Sequence, residues 1–206
     1  MNPRPIMDAG PGLNLLSVNK ERLLFATLGA LSVPEAVQTE ILRKARQDQR
    51  FAPAERVWNK LPERLMTVLC DDVTDQLSAA VQRISGVPLA QRARTGKDLG
   101  EIMVLAHAAV AAETGQHVTV LIDEGLGCQL ATTEARRLQR LALSGQAAVG
   151  SIRMIHTTTV LERAAGGEHL PTKETMRNLY DRLRNLDDGL PPLANTNLMH
   201  LPCWQQ

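Results

Sequence analysis

Carboxylates stand at several junctions of this chain. Asp8 follows a short apolar stub, Glu101 opens a segment with helical spacing, and Asp123 and Glu124 follow a β-branched run. Glu40 lies beside the apolar stripe of another helical segment. Carboxylates drawn together repel and cannot all ionise unless a cation neutralises them. Hard oxygen ligands with no His or Cys partner suit Mg²⁺ or Mn²⁺ better than zinc. An ion held there can activate water and stabilise the leaving oxygen of a phosphodiester. Glu40 also has a plainer account, a solvated residue on an amphipathic helix.

Other side chains carry weaker signals. Arg92, Arg94 and Lys97 precede Glu101 and could hold substrate phosphates, although a solvated basic loop explains them equally well. Arg136, Arg137 and Arg140 are open to the same two readings. With aromatics at 2%, no stacking platform for single-stranded nucleic acid is visible. His107 reads as a partly buried histidine with its ring satisfied. Cys70, Cys128 and Cys203 are widely spaced and lack a CxxC pair, the pattern of reduced intracellular thiols.

The elements that must position the carboxylates follow from hydrophobic spacing. Residues 97–127 form the centre. Ile102, Leu105, Ala106, Ala109 and Val110 mark one buried helix face, Thr114-Gly115 stops the helix, and 118–122 is a strand buried on both faces of a parallel sheet. In an open α/β sheet, reactive groups gather beyond the carboxyl ends of the strands, where Asp123 and Glu124 fall.

Upstream, 5–7 reads as a first strand, Gly-Pro-Gly at 10–12 as a turn, and Leu13 as a helix start. The Gly-Pro-Gly lacks the GK[ST] ending of a phosphate loop. Residues 32–34 read as an extended entry to a helix over 35–47, 50–64 as irregular, and 65–69 as a second core strand. Asp72, Thr74 or Asp75 caps the helix that runs to Ser85. A loop over 86–97 follows. Beyond the centre come a helix over 129–143, a strand at 151–155, helices from Thr157 and from Thr172 or Lys173, and a tail after 190.

The 206 residues fit one α/β domain. A net charge of +1 does not advertise a nucleic-acid binder, and local patches can still be basic. No apolar run reaches membrane-helix length and no signal-peptide core is visible, so a cytoplasmic location is expected.

In order and spacing, the acidic sites resemble those of the PIN-domain ribonuclease family, whose toxin members belong to bacterial toxin–antitoxin pairs. The likeness is carried by Asp98-Leu-Gly-Glu101 with IMVLAHA, by VLIDEG, by Asp8 after the first strand, and by VPEAVQTEIL around Glu40. The stretch from Gly150-Ser-Ile to Leu161 is similar to the sheet-closing end of one subfamily, so the resemblance spans most of 5–190. Ala9-Gly10-Pro11 replaces the family's small hydroxyl-bearing residues, and the gap from Glu101 to Asp123 exceeds that of the compact toxins.

The resemblance implies a three-layer α/β/α sandwich around a mainly parallel sheet, over 1–190, with 191–206 as a tail. It implies a Mg²⁺- or Mn²⁺-dependent endoribonuclease with Asp8, Glu40, Glu101 and Asp123 as catalytic residues. The metal would rest on Asp8, Glu101, Asp123 and Glu124; Asp123 is favoured over Glu124 because it comes directly off the strand. RNA is the implied substrate, an antitoxin protein and a second copy of the chain the implied partners. Two other classes compete: a PIN-like binding module whose acids serve charge or stability, and an α/β phosphoesterase acting on a small phosphorylated substrate.

Overall fold

The computed structural model describes residues 3–96, 98–123, 125–145, 148–186 and 189–205. The elements run β1 (Ile6–Met7), α1 (Ala9–Ser17), α2 (Glu21–Leu28), β2 (Leu31–Pro34), α3 (Glu35–Gln47), α4 (Ala52–Trp58) and β3 (Met66–Leu69). Then follow α5 (Asp75–Ser85), α6 (Leu89–Thr95), α7 (Leu99–Glu113), β4 (His117–Leu121), α8 (Leu126–Leu143), β5 (Ser151–Ile155), α9 (Thr157–Ala164) and α10 (Lys173–Arg184). All five strands are parallel in the order β3-β2-β1-β4-β5, with helices on both faces, a three-layer α/β/α sandwich.

The parallel sheet explains the apolar strands. Leu31, Val33, Val120 and Leu121 are fully buried, because helices cover both faces. Nine of the fifteen residues of α7 are buried, so it is a core helix apolar nearly all round. No helix of the described residues is long and apolar enough to cross a membrane. Among the described residues Cys70, Cys128 and Cys203 form no disulfide, and the Cys128 thiol donates to Asp123 O at 2.9 Å.

Several elements differ from the sequence reading. Residues 10–12 are not a turn before a helix at Leu13; α1 starts at Ala9, directly after Asp8. Asp8 is its N-cap, Pro11 lies in the first turn where no N–H is needed, and Gly12 makes room for Met7 and Ile41. A Cβ on Gly12 would come within 2.8 Å of Met7 Cε.

Residues 31–34 are a core strand paired on both sides, not an extended lead-in. Its four residues, with Ser32 and Pro34 among them, are too few for alternation to register. The stretches 50–64 and 86–97 contain α4 and α6, seven-residue helices shorter than two full periods. The tail after 190 is folded onto the domain: Leu198 is fully buried, the Tyr180 hydroxyl donates to Pro191 O at 2.7 Å, and Trp204 Nε1 donates to Leu198 O at 2.7 Å.

Candidate active site

The strand order reverses beside β1. From β1 the chain builds outward through β2 and β3, then returns to place β4 and β5 on the other side. A crevice opens where neighbouring connections leave in opposite directions, between β1 and β4. Asp8 leaves the carboxyl end of β1 and Asp123 follows β4. Asp8 is tied to the neighbouring strand by its own amide, which donates to Leu121 O at 2.9 Å.

An open cleft of about 790 Å³ lies there. Asp8, Glu40, Glu101 and Asp123 all line it, so the structure brings these four expected residues together. Glu35, Asp71 and Asp98 add to them, against only Arg43 and Lys44 as cations among the described lining residues. Seven carboxylates facing two cations leave the cleft strongly negative.

Asp8 is the least comfortable member. It is 8% exposed, and its Oδ1 is buried without a hydrogen-bond partner. Burial, reinforced by Glu101 and Glu40 and opposed by the amides of Ala9 and Gly10, pushes its carboxyl up to about 7. Glu101 is also raised, first by burial, then by Asp98 and Glu40; the Gly127 amide at the start of α8 and the Lys44 charge pull the other way. Two glycines let these side chains approach. A Cβ on Gly100 would stand 2.9 Å from Glu40 Oε2, and one on Gly127 would stand 3.2 Å from Glu101 Cδ.

Glu40 and Asp123 are already engaged. Lys44 Nζ lies 2.7 Å from Glu40 Oε1. Thr157 donates to Asp123 twice at 2.7 Å, from its backbone N–H to Oδ1 and from its hydroxyl to Oδ2. Asp123 therefore ties the end of β4 to the start of α9. An ionised carboxylate has about four lone-pair sites, so these bonds leave it able to accept further contacts.

The remaining candidates separate. Glu124 and Lys97 lie outside the described residues. Arg92 is paired with Asp98 at 3.7 Å and, like the exposed Arg94, does not line the cleft. A short helix, α6, stands in place of the expected loop, with Arg94 exposed on it and Arg92 held against Asp98, a lining residue. His107 has its ring satisfied, with Nε2 2.8 Å from Asp71 Oδ1. The other oxygen of Asp71 accepts from Ala36 N–H at 2.7 Å, while Glu35 Oε2 accepts from Asp71 N–H at 3.0 Å. Thr74 is the cap of α5, its hydroxyl accepting from Leu77 N–H at 3.1 Å. Of the second arginine group, Arg137 is bound with Arg83 to Glu134 and Glu113, well within a structural network.

Sequence reasoning passed over Thr157, Arg43 and Lys44. Thr157 stands 34 residues from Asp123 and meets it only because β4 and β5 are neighbours. Arg43 and Lys44 follow Glu40 by three and four residues, a helical spacing that could have placed them on its side.

Among the described residues, no three His, Cys, Asp or Glu side chains are gathered closely enough to hold a metal. The reason is visible in the contacts: Glu40 turns to Lys44, Asp123 to Thr157, and Glu101 to the Gly127 amide. The donor chemistry nevertheless suits a hard divalent cation. Seven of the described lining residues offer carboxylate oxygens and none is His or Cys, and the orphaned Asp8 Oδ1 lacks a positive partner. No protein-family model matches the chain, and no curated protein matches it.

Proposed function

We propose that the protein is a Mg²⁺- or Mn²⁺-dependent endoribonuclease, acting as the toxin of a toxin–antitoxin pair. The observation that carries the reading is the buried, unpartnered Asp8 Oδ1 facing Glu40 and Glu101 at the strand-order reversal of a parallel sheet. A structural carboxylate in such surroundings would pair with a cation or hydrogen-bond donor of the fold. Asp8 Oδ1 has neither, so its place is better explained by something that binds.

Asp8, Glu101 and Asp123 would hold the cation, with Glu40 reaching it once Lys44 is released. A divalent ion in that place supplies charge neutralisation at the phosphate and a more acidic bound water. The chain supplies the rest. Thr157 fixes the orientation of Asp123, the Gly127 amide fixes Glu101, and the α1 amides hold Asp8 on one side. Such supporting contacts keep ligating atoms in register. The cleft is open, with room for an extended chain.

A binding module is the second reading, favoured by the two carboxylates already engaged by Thr157 and Lys44. A mixed RNA pool incubated with Mn²⁺ separates the two. Nuclease function requires endonucleolytic cleavage that stops in EDTA and is lost in Glu101→Gln. Intact RNA at high protein concentration would leave the binding module standing. For the toxin role, growth arrest on expression should be relieved by co-expressing a small open reading frame found beside the gene; harmless expression, or no such neighbour, would remove that role alone.

A further inference from the structure

The cleft has a polarity along α3. Glu35, Ala36, Thr39, Glu40, Arg43 and Lys44 all line it, recurring with the helical period, so one side of α3 forms its wall. The wall is acidic at its start and basic at its end. Arg43 stands about 4.5 Å along the helix axis beyond Glu40 at 1.5 Å per residue. Its Nη1 donates to Gln47 Oε1 at 2.7 Å, which draws the guanidinium toward the C-terminal end of α3. Lys44 is 40% exposed at the side chain, so its ammonium can swing away from Glu40.

We propose that Arg43 and Lys44 form a phosphate subsite that receives the phosphodiester next to the one at the carboxylates, so that the cleft takes a polynucleotide strand lying along α3. The proposal rests on the nuclease reading for its substrate class. Two cations beside a carboxylate cluster solve opposite problems. The carboxylates repel an RNA strand, and charge-assisted bonds from Arg43 and Lys44 hold it in place. Lys44 exchanges Glu40 for a phosphate oxygen, which frees Glu40 as the strand is seated. A small phosphate monoester has no second phosphate for this subsite, so the cleft should favour a polymer over a nucleotide.

Binding tests this without turnover. Fluorescence anisotropy of a labelled single-stranded oligoribonucleotide, in Ca²⁺, is followed across a salt series for each variant. Arg43→Gln and Lys44→Gln should each weaken binding about 3- to 10-fold and flatten the log–log salt dependence by about 0.7 per lost contact. Lys44→Arg should bind nearly as wild type, and Arg177→Gln, an exposed cation on α10 away from the cleft, should stay within about twofold. Unchanged melting of each variant shows that the fold is intact.

Wild-type affinity and slope in both glutamine variants would overturn the subsite, as would no binding by the wild type or an equal loss in Arg177→Gln. The two readings fail separately. Loss of binding in the variants with no cleavage by wild type would keep the subsite and remove the nuclease. Cleavage with unaltered binding and KM in both variants would do the reverse.

Discussion

Asp8 concentrates the energetic cost of the site in one residue. Its carboxyl sits at about 7 in the folded protein, against an ordinary value of 3.8. An acid raised by folding binds its proton more tightly in the folded state, so folded stability falls as pH climbs from the lower value to the upper. At 1.4 kcal/mol per unit, the burden above neutral pH is at most about 4 kcal/mol. Asp8→Asn removes it. In EDTA at pH 8 the variant should melt above the wild type, with the gap closing as pH falls toward 4. Mn²⁺ should raise the wild-type melting temperature and leave the variant unmoved, while RNA cleavage by the variant drops ~10²-fold or more. A variant that melts lower than wild type at every pH would contradict this account.

Gly100 offers a second separation of stability from activity. A Cβ there meets the flexible end of Glu40 at 2.9 Å and lies at ordinary contact distance from Val37 Cγ2 (3.4 Å) and Asp8 Oδ1 (3.7 Å), and alanine is the better helix former by up to about 1 kcal/mol. Gly100→Ala should therefore keep or slightly raise the melting temperature while it displaces Glu40 and slows cleavage. Equal activity with a shifted Glu40 would remove Glu40 from the catalytic set.

Among the elements, legibility followed length and pattern. Helix α3 and strand β5 have the bounds expected from sequence, because thirteen residues with a stripe and five between clear breaks leave little choice. β2, α4 and α6 were missed because four or seven residues cannot display a period. Three of the site carboxylates were legible from their stations: two beyond strand ends, one at a helix start. The role of Asp123 in capping α9 was not, since it depends on strand adjacency across 34 residues. Arg43 and Lys44 were hidden for another reason: charges near a helix end usually face water.

The β4–β5 pairing that brings Asp123 to Thr157 is itself held by a close crossing. Gly150 donates to Ala112 O at 2.8 Å, and a Cβ on it would fall 1.9 Å from Gln116 O, a backbone atom that cannot yield cheaply. Gly150→Ala should destabilise the protein by about 3 kcal/mol. That corresponds to a loss of about 6–12 °C in melting temperature for a domain of this size. Melting within about 2 °C of wild type would show that the two segments can separate without loss.

At the scale of the whole molecule, charge joins helices α5, α7 and α8 as well as lining the cleft. Glu134 of α8 is 4% exposed and accepts from Arg83 of α5 at 3.0 Å and from Arg137 at 2.7 Å; both arginines also bind Glu113 of α7. Burial pushes the Glu134 carboxyl upward, but the bonds from Arg137 and Arg83 outweigh it and hold it below its ordinary value. A depressed acid contributes stability that is present above its unfolded value and lost as pH falls through the folded one. Glu134→Gln should lower stability by about 2 kcal/mol at pH 7, with the difference shrinking below pH 4. Thermal melts of the pair across pH check both the size and the direction.

That network gives the molecule an order of failure. Apart from Glu134, α8 buries only Gly127, Ala131 and Leu138, whereas α7 is held by nine buried residues. Protonating one glutamate thus loosens the outer helix while the inner one stays locked. Acid should strip amide-exchange protection from 126–143 at a pH where 99–113 remains protected, a local opening well short of global unfolding. The Gly127 amide that steadies Glu101 departs with α8. Acid inactivation should therefore precede acid denaturation, and returning the pH should restore function without any refolding lag.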